Sequence, residues 1–350
     1  MTSVRKISYI DTYDGVGEIG NAIDSIYVAV LQRNPSSAER SQWIEAIHQR
    51  HIPLGTLIEI FRSSTEATSM RSGKGYFVPG HYHSPIVRPD EAVKRYVARE
   101  LTQWPEDLRG IDVNIGLMEA LWKECKETLV ATPFGDTPDN IHRYCYTGGP
   151  FPHGDGIAAR MVIAKYRPKR IIEIGSGHST ACMLDALDEF GLEGTHVTCV
   201  DPDMSRLRTL LRDGDESRIT LREELIQDVS PDLVDELSSG DILFIDSTHV
   251  VKTGSDVHFE FFHLIPRLRS GVIVHVHDIM YPFEYPSEWV FDLNYSWNET
   301  YLLRAFLMYN TEFRVIFWNS MFARFRRQEV LEAAPAFLVN PGGSIWLQRN

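Results

Sequence analysis

Short apolar runs alternate with longer amphipathic segments from residue 169 onwards. Because these runs are rich in β-branched residues, they predict strands. We place the strands at 170–175, 196–201, 218–222, 241–246, 271–277, 313–318 and 344–347. Apolar residues at helical spacing predict a helix over 256–268, with Asp256 as its N-cap, and another over about 298–309. This alternation predicts parallel βαβ units and therefore an α/β fold.

The pattern before residue 169 is different. Apolar residues at helical spacing predict three helices within 20–70, and Asn34-Pro-Ser-Ser37 separates the first two and caps the second. A linker is predicted at Ser72-Gly-Lys-Gly75. Further helices are predicted at 89–101, at 114–128 and up to residue 165. We therefore expect a small helical domain at 1–72, a mixed lead-in segment at 73–165 and the α/β domain at 166–350.

The composition limits the classes of binding partner and the cellular compartment that we expect for this protein. The formal net charge of −13 argues against non-specific binding to nucleic acid or to an anionic membrane, because both need basic patches. The first residues lack the apolar core of a signal peptide, and no apolar run reaches the roughly 18 residues that would span a bilayer. The four cysteines include no CxxC pair, which fits reduced thiols better than a disulfide or zinc framework. We expect a cytoplasmic protein without nucleic-acid or membrane partners.

The first predicted strand of the α/β region ends in Gly175-Ser-Gly177, and a helix is predicted from Ser179. Glycines at such a junction let the backbone approach a ligand, and the helix N-terminus offers free N–H groups. We therefore expect a nucleotide-like ligand. A dinucleotide fingerprint needs a third glycine, but Thr180 stands in that position. An NAD-linked oxidoreductase is consequently the less favoured enzyme class.

Polar residues follow the neighbouring strands at the same edge. Asp201 ends the second strand, where a carboxylate can accept hydrogen bonds from ribose hydroxyls. Gln227 and Asp228 follow the third strand, where an adenine edge would lie, and Glu173 precedes the glycines. This combination favours a nucleoside-containing cofactor over a simple solvated turn.

Two further strands end in groups that can transfer a proton or bind a metal ion. Asp246 ends the fourth strand with His249 one turn later, and His277 and Asp278 end the fifth. Adjacent strands lie about 4.8 Å apart, so these side chains are expected to converge. Candidate acid–base groups are Asp246, His249 and His277. Asp246, His277 and Asp278 are a candidate site for a divalent metal. The alternative for each histidine is a structural hydrogen bond.

These motifs resemble a known family. Residues 76–350 are similar to class I S-adenosylmethionine-dependent methyltransferases. Within that superfamily they resemble bacterial small-molecule and sugar O-methyltransferases, related to the cephalosporin hydroxylase and rhamnosyl O-methyltransferase group. The segments that carry the resemblance are 173–180, 241–249, 252–256, 275–278 and 281–286. Residues 22–66 separately resemble a small helical domain of unknown function, at positions that include Tyr27, Trp43 and Ser63–Glu66.

The resemblance implies a Rossmann-like, mostly parallel sheet of seven strands whose last strand, at 344–348, is antiparallel. It implies S-adenosylmethionine as the cofactor and a hydroxyl of a small molecule or glycan as the methyl acceptor. The residues expected at the cofactor are Glu173, Gly175, Ser176, Gly177, Ser179, Asp201, Gln227 and Asp228. An acidic pair binds metal in similar enzymes, but here the pair is His277-Asp278. That difference leaves magnesium, manganese, iron, zinc or no metal open.

Several alternatives stay open. N- or S-methylation needs the same pocket, and a non-catalytic scaffold would retain a cofactor cleft and use its N-terminal helices as the working surface. Oligomeric state is also open, including a homo-oligomer. Tyr281–Pro286 with Trp289 is a candidate wall for the acceptor, and Gly80–His83 is a candidate cover of the same cleft.

Overall fold

A computed structural model describes residues 16–31, 34–50, 52–64, 81, 84–87 and 90–350. The chain divides into two compact units, Met1–Arg88 and Pro89–Asn350. The linker predicted at 72–75 and most of the segment Gly80–His83 lie outside the described residues. Within the described residues, no helix combines the length and the apolar character that crossing a membrane requires.

The described residues of the first unit form three helices. These are α1 (Val16–Leu31), α2 (Ser37–Arg50) and α3 (Leu54–Ser63). The predicted cap of α2 is confirmed, because Ser36 Oγ accepts the Glu39 N–H (3.3 Å) while the Glu39 carboxylate accepts the Ser36 N–H (2.8 Å). The Phe61 ring packs against Tyr27 and Trp43, with ring centroids 4.9 and 4.7 Å apart. The aromatic and aliphatic stripe of these helices thus forms a small core of its own.

The second unit contains a seven-stranded sheet. Its strands are β1 (Arg170–Ile174), β2 (His196–Val200), β3 (Ile219–Arg222), β4 (Ile242–Ile245), β5 (Ile273–Val276), β6 (Phe313–Trp318) and β7 (Ile345–Arg349). Their order is β3-β2-β1-β4-β5-β7-β6, and β7 runs antiparallel to both of its neighbours while the other neighbouring pairs run parallel. The predicted α/β, Rossmann-like fold with an antiparallel last strand is confirmed.

Helices cover the sheet. Those before it are α4 (Glu91–Thr102), α5 (Ile115–Glu124), α6 (Lys126–Val130) and α7 (His153–Tyr166). Those that follow are α8 (His178–Glu189), α9 (Ser205–Leu210), α10 (Asp256–Phe259), α11 (Ser287–Phe291), α12 (Glu299–Leu307), α13 (Asn319–Phe325) and α14 (Arg327–Ala333). The single helix predicted over 114–128 is wrong in one respect, since it is interrupted at Cys125 between α5 and α6.

The helix predicted over 256–268 is not uniformly α-helical. It starts as α10, continues as a π-helical turn at Glu260–Leu264 and ends as a 3₁₀ turn at Ile265–Arg267. Its N-cap is Ser255, whose Oγ accepts the His258 N–H at 3.2 Å, so the prediction of Asp256 was wrong. Asp256 instead accepts hydrogen bonds from the Thr248 N–H (3.0 Å) and hydroxyl (2.6 Å). It therefore ties this helix to the loop after β4.

The segment from residue 90 to the first strand shares its hydrophobic core with the sheet. Trp122 of α5 stacks on Phe317 of β6, with ring centroids 5.8 Å apart and an angle of 5° between the planes. Helix α7 is buried over nearly all of its length. From residue 90 onwards, the predicted lead-in segment therefore belongs to the same compact unit as the α/β region. All four cysteines are buried and none forms a disulfide.

Candidate functional site

A cleft of 280 Å³ opens at the carboxyl ends of β1, β2, β4 and β5. Open α/β sheets bind their ligands at this edge. The predicted residues that line the cleft are Gly175, Ser176, Gly177, Ser179, Asp201, Asp246, His249, His277 and Asp278. The remaining lining residues are Pro150, Phe151, His178, Arg206, Ser247 and Trp297. The cleft therefore joins the glycine loop and the strand-end cluster in one space.

Gly175 holds the end of β1 against the end of β4. Its φ is +80°, which disfavours residues with a side chain. A Cβ atom here would overlap the Asp246 carbonyl oxygen and lie 2.8 Å from the carbonyl carbon. The adjacent Asp246 N–H donates to Ile174 O at 2.9 Å. The glycine is thus required by the approach of two backbones, and it places the loop next to Asp246.

Glu173 supports the glycine loop from behind and does not line the cleft. It is fully buried and accepts hydrogen bonds from the hydroxyls of Ser179 (2.6 Å) and Thr180 (2.5 Å). Thr180 Oγ1 also accepts the Gly177 N–H at 3.0 Å. Burial raises the pKa of Glu173 to about 8, although the two hydroxyl donors oppose the rise. Thr180, which breaks the dinucleotide fingerprint, therefore fixes the start of α8.

Asp201 presents an oriented carboxylate to the cleft. Its Oδ2 accepts the Ser176 N–H at 2.9 Å and its Oδ1 accepts the Asp203 N–H at 2.8 Å. Gln227 and Asp228 do not line the cleft. Gln227 Nε2 donates to Gly254 O at 2.9 Å, and Asp228 is exposed. Of the polar groups predicted along β2 and β3, the structure thus brings Asp201 to the cleft. Adenine contacts of the other two stay a prediction.

Two aspartates and two histidines meet at the ends of β4 and β5. His249 Nε2 lies 3.6 Å from Asp246 Oδ1 and 3.4 Å from Asp278 Oδ2. His277 Nδ1 lies 3.4 Å from Oδ1 of each aspartate. The predicted convergence is confirmed. His249 and Asp278 also have φ of +60° and +57°, a conformation that costs non-glycine residues on the order of 1–3 kcal/mol and clusters at functional sites.

Each histidine has a second carboxylate behind it. His249 Nδ1 is 2.9 Å from Glu299 Oε2, and His277 Nε2 is 3.2 Å from Asp155 Oδ2. Both of these carboxyl groups are fully buried. Sequence reasoning missed them because they come from α12 and α7, which are remote from the strand ends in sequence. The sequence signals available were an acid between glycines, Gly154-Asp-Gly156, and an acid at the predicted start of a helix.

The carboxylates set the charge of the cluster. Burial disfavours a charged imidazole, yet Asp246 and its neighbouring carboxylates hold the pKa of His277 well above its usual value. For His249 burial again opposes the charge, while Glu299, Asp278 and Asp246 raise the pKa above 6.5. Burial would raise the pKa of Asp246, but His277 and His249 lower it to about 2. The cluster therefore combines an anionic carboxylate, Asp246, with two imidazoles, His249 and His277, of raised basicity.

Two other features near these strand ends lie outside the cleft. His275 is fully buried, contacts Ser344 Oγ at 2.9 Å and does not line the cleft. None of Tyr281–Pro286 lines the cleft, and the side chains of its aromatic residues are buried. The aromatic wall is instead Trp297, whose ring lies 4.5 Å from that of His249 and 5.5 Å from that of Trp289.

The predicted metal site gains no support. Among the described residues, no group of three or more histidine, cysteine or acidic side chains is arranged to hold a metal ion. His277 Nδ1 lies between the Asp246 and Asp278 carboxylates, 3.4 Å from each. His277, itself one of the three predicted ligands, thus lies close to both predicted carboxylate ligands.

Comparisons with known proteins agree with this geometry. Residues 172–279 match the methyltransferase domain family. An uncharacterized protein of Archaeoglobus fulgidus is 27% identical over 139 residues, which are 39% of this chain and 62% of that relative. The chain thus spans less than two thirds of the length of the curated relative that it matches.

Solved methyltransferases show only a low overall similarity. A Podospora anserina methyltransferase bound to S-adenosylhomocysteine is 16% identical (TM-score 0.38; 79% of this chain, 99% of that chain). The O-methyltransferase TomG of Streptomyces achromogenes, in complex with S-adenosylmethionine, is 12% identical (TM-score 0.38; 73% and 98%). The fold assignment rests on the strand order described above and not on these scores. The match at 172–279 indicates a methyltransferase domain in this part of the chain, and the strand order and the cleft at the strand ends agree with it.

Proposed function

We propose that this protein is an S-adenosylmethionine-dependent O-methyltransferase that acts on a hydroxyl of a small molecule or glycan. The observation that carries the proposal is one cleft lined by both the Gly175–Gly177 loop with Asp201 and the strand-end cluster. The first set has the chemistry to hold a nucleoside cofactor. The second has the chemistry to bind and deprotonate an acceptor.

The residues of the cleft fit S-adenosylmethionine, which supplies an electrophilic methyl group on a sulfonium when it is bound. The Asp201 carboxylate, held by two backbone N–H groups, can accept hydrogen bonds from ribose hydroxyls. Ser176 Oγ is buried and makes no hydrogen bond within the described residues, so it is available to a ligand. The N-terminus of α8 adds N–H groups that favour a negatively charged ligand group.

A hydroxyl acceptor explains the strand-end cluster better than an amine or thiol acceptor. A hydroxyl holds its proton at neutral pH and must lose it as the new bond forms, so a base is useful. Asp246 and Asp278 can accept hydrogen bonds from the acceptor, and His249 Nε2 can take the proton. Positioning of this kind contributes about 7–11 kcal/mol, and a general base adds roughly 10²–10⁴-fold.

We assign no step to a metal ion, because His277 occupies the position between the carboxylates. Chelation tests this choice. Turnover should be unchanged by EDTA, whereas a loss that Mg²⁺ or Mn²⁺ restores would establish the metal-dependent version.

Calorimetric titration with S-adenosylhomocysteine tests the cofactor half of the proposal. The wild type should bind one equivalent, and Asp201→Ala should weaken binding by at least tenfold, equivalent to about 1.4 kcal/mol. Asp203→Ala is the matched control, since this exposed acid lies two residues away and does not line the cleft. Failure of the wild type to bind, or equal affinity in both variants, would overturn the assignment.

A further inference from the structure

We infer that Glu299 is a positioning residue for His249. Its carboxylate accepts the Nδ1–H of the imidazole, which leaves the lone pair of Nε2 directed at the cleft. The inference rests on the proposed function, in which His249 removes a proton from the acceptor.

The geometry selects one tautomer of the ring. His249 Nδ1 lies 2.9 Å from Glu299 Oε2, and both residues are buried. A carboxylate can only accept, and carboxylates lie near both ring nitrogens. Nε2 is 3.4 Å from Asp278 Oδ2 and 3.6 Å from Asp246 Oδ1, both longer than an ordinary hydrogen bond, whereas the contact of Nδ1 with Glu299 has hydrogen-bond length. The neutral imidazole therefore carries its proton on Nδ1 and its lone pair on Nε2. The opposite tautomer would aim an N–H at the acceptor and could not remove its proton.

The residues around Glu299 also fix the backbone of His249. The carbonyl oxygen of His249 accepts the N–H groups of Asn298 (3.0 Å) and Glu299 (3.2 Å) at the start of α12. The Asn298 side chain accepts the Val251 N–H at 2.6 Å, and the Trp297 ring lies against the imidazole. Three consecutive residues thus hold the loop of His249 in its left-handed conformation, φ +60°. Such a conformation persists where its surroundings determine it.

The setting of Glu299 is unusual for a structural residue. Its Oε1 is buried and makes no hydrogen bond within the described residues. Burial raises the pKa of Glu299, and its hydrogen bond with His249 opposes the rise. A buried carboxyl group with one unsatisfied oxygen reduces stability, typically by about 1–3 kcal/mol. Because this carboxyl group lowers stability, its presence is better explained by its hydrogen bond to His249 than by a contribution to folding.

Glu299→Gln tests the inference with little change in shape. A glutamine amide can donate to Nδ1 and so stabilise the wrong tautomer. We expect kcat to fall by about 10²–10⁴-fold, the usual contribution of a general base, with KM for the acceptor and affinity for S-adenosylhomocysteine within a few-fold of wild type. Glu299→Asp, which keeps the acceptor on a shorter side chain, should recover part of the loss.

Glu260→Gln is the matched control. Glu260 is equally buried and has an unsatisfied Oε1, but it hydrogen-bonds to Ser247 and not to His249. Its substitution should lower kcat far less than Glu299→Gln. Equal losses in kcat would show that a buried carboxyl group in this region acts through stability, and would overturn the inference.

A second readout does not depend on turnover. Nitrogen-15 NMR of the imidazole, assigned by comparison with His249→Gln, reports which ring nitrogen carries the proton when the ring is neutral. Wild type should show Nδ1–H, and Glu299→Gln should shift the population toward Nε2–H. An unchanged tautomer would overturn the inference even if methyl transfer is observed. Failure of the wild type to transfer a methyl group would overturn the proposed function but not the tautomer assignment.

Discussion

Substitution of Gly175 by alanine tests whether a glycine is required for the close approach of the backbones at the ends of β1 and β4. The added Cβ would overlap the carbonyl oxygen of Asp246, where β1 and β4 end side by side. The obstacle is backbone, which cannot rotate away as a side chain can. Either the glycine loop or the strand-end cluster must therefore move, and both line the cleft.

Two costs add at Gly175. An alanine with φ near +80° costs about 1–2 kcal/mol, because its Cβ crowds the carbonyl oxygen. Forcing an extra carbon into a closely packed site costs a further 1–3 kcal/mol or so. We expect a loss of about 2–5 kcal/mol in the free energy of unfolding. Gly191→Ala is the control, since its φ is +62° and no atom lies within 4 Å of the added Cβ. Only the first cost, about 1–2 kcal/mol, applies there.

Urea unfolding followed by tryptophan fluorescence measures the difference. Trp43 lies in the first compact unit and all other tryptophans lie in the second, so the signal reports mainly the second unit. Both variants should lower the midpoint with an unchanged slope, and Gly175→Ala should lower it more. Gly175→Ala should also weaken binding of S-adenosylhomocysteine, while Gly191→Ala should not. Equal midpoints, or native affinity in Gly175→Ala, would refute the reasoning.

Three further outcomes are expected. Asp246→Asn should lower kcat at least tenfold with little change in S-adenosylhomocysteine affinity, because Asp246 belongs to the strand-end cluster that we propose binds the acceptor. Production of S-adenosylhomocysteine at saturating substrate measures this, and an unaffected kcat would contradict it. The rate of methyl transfer should rise with pH as His249 loses its proton. The midpoint should lie above pH 6.5, because Glu299, Asp278 and Asp246 raise the pKa of His249. A midpoint below pH 6.5 in the pH–rate profile would count against His249 as the base. All four thiols are buried, so a thiol reagent should react only as fast as the protein unfolds, and rapid labelling of native protein would argue against this packing.

The sheet could be predicted from sequence because strands buried on both faces appear as short apolar runs. Ile171 and Ile172 before Gly175 are one example, and the observed strands lie within the predicted ones or extend them by two residues at most. The start of α10 was missed for a local reason. Ser255 and Asp256 can both cap a helix, and only the tertiary contact of Asp256 with Thr248 decides between them. The π turn at 260–264 left no sequence signal that we recognise.

The site was predictable where the sheet itself brings residues together. Asp246, His277 and Asp278 end neighbouring strands, so their convergence follows from strand spacing. Glu299 and Asp155 reach the same cluster from helices, and nothing in the local sequence specifies that packing. For Glu173, in contrast, the position in the sequence suggested a role that its surroundings in the fold do not support. Its position before the glycines suggested a cofactor contact, but full burial and two hydroxyl partners make it a support of the loop.

The most direct test of the account is transfer of a ¹³C-labelled methyl group. The protein is incubated with labelled S-adenosylmethionine and extracts of small molecules and glycans, and the product is examined by ¹³C NMR, which separates O-, N- and S-methyl carbons. We expect an O-methyl product that wild type forms and that Asp246→Asn forms much more slowly. A product methylated on nitrogen or sulfur, or equal yields from wild type and variant, would contradict it.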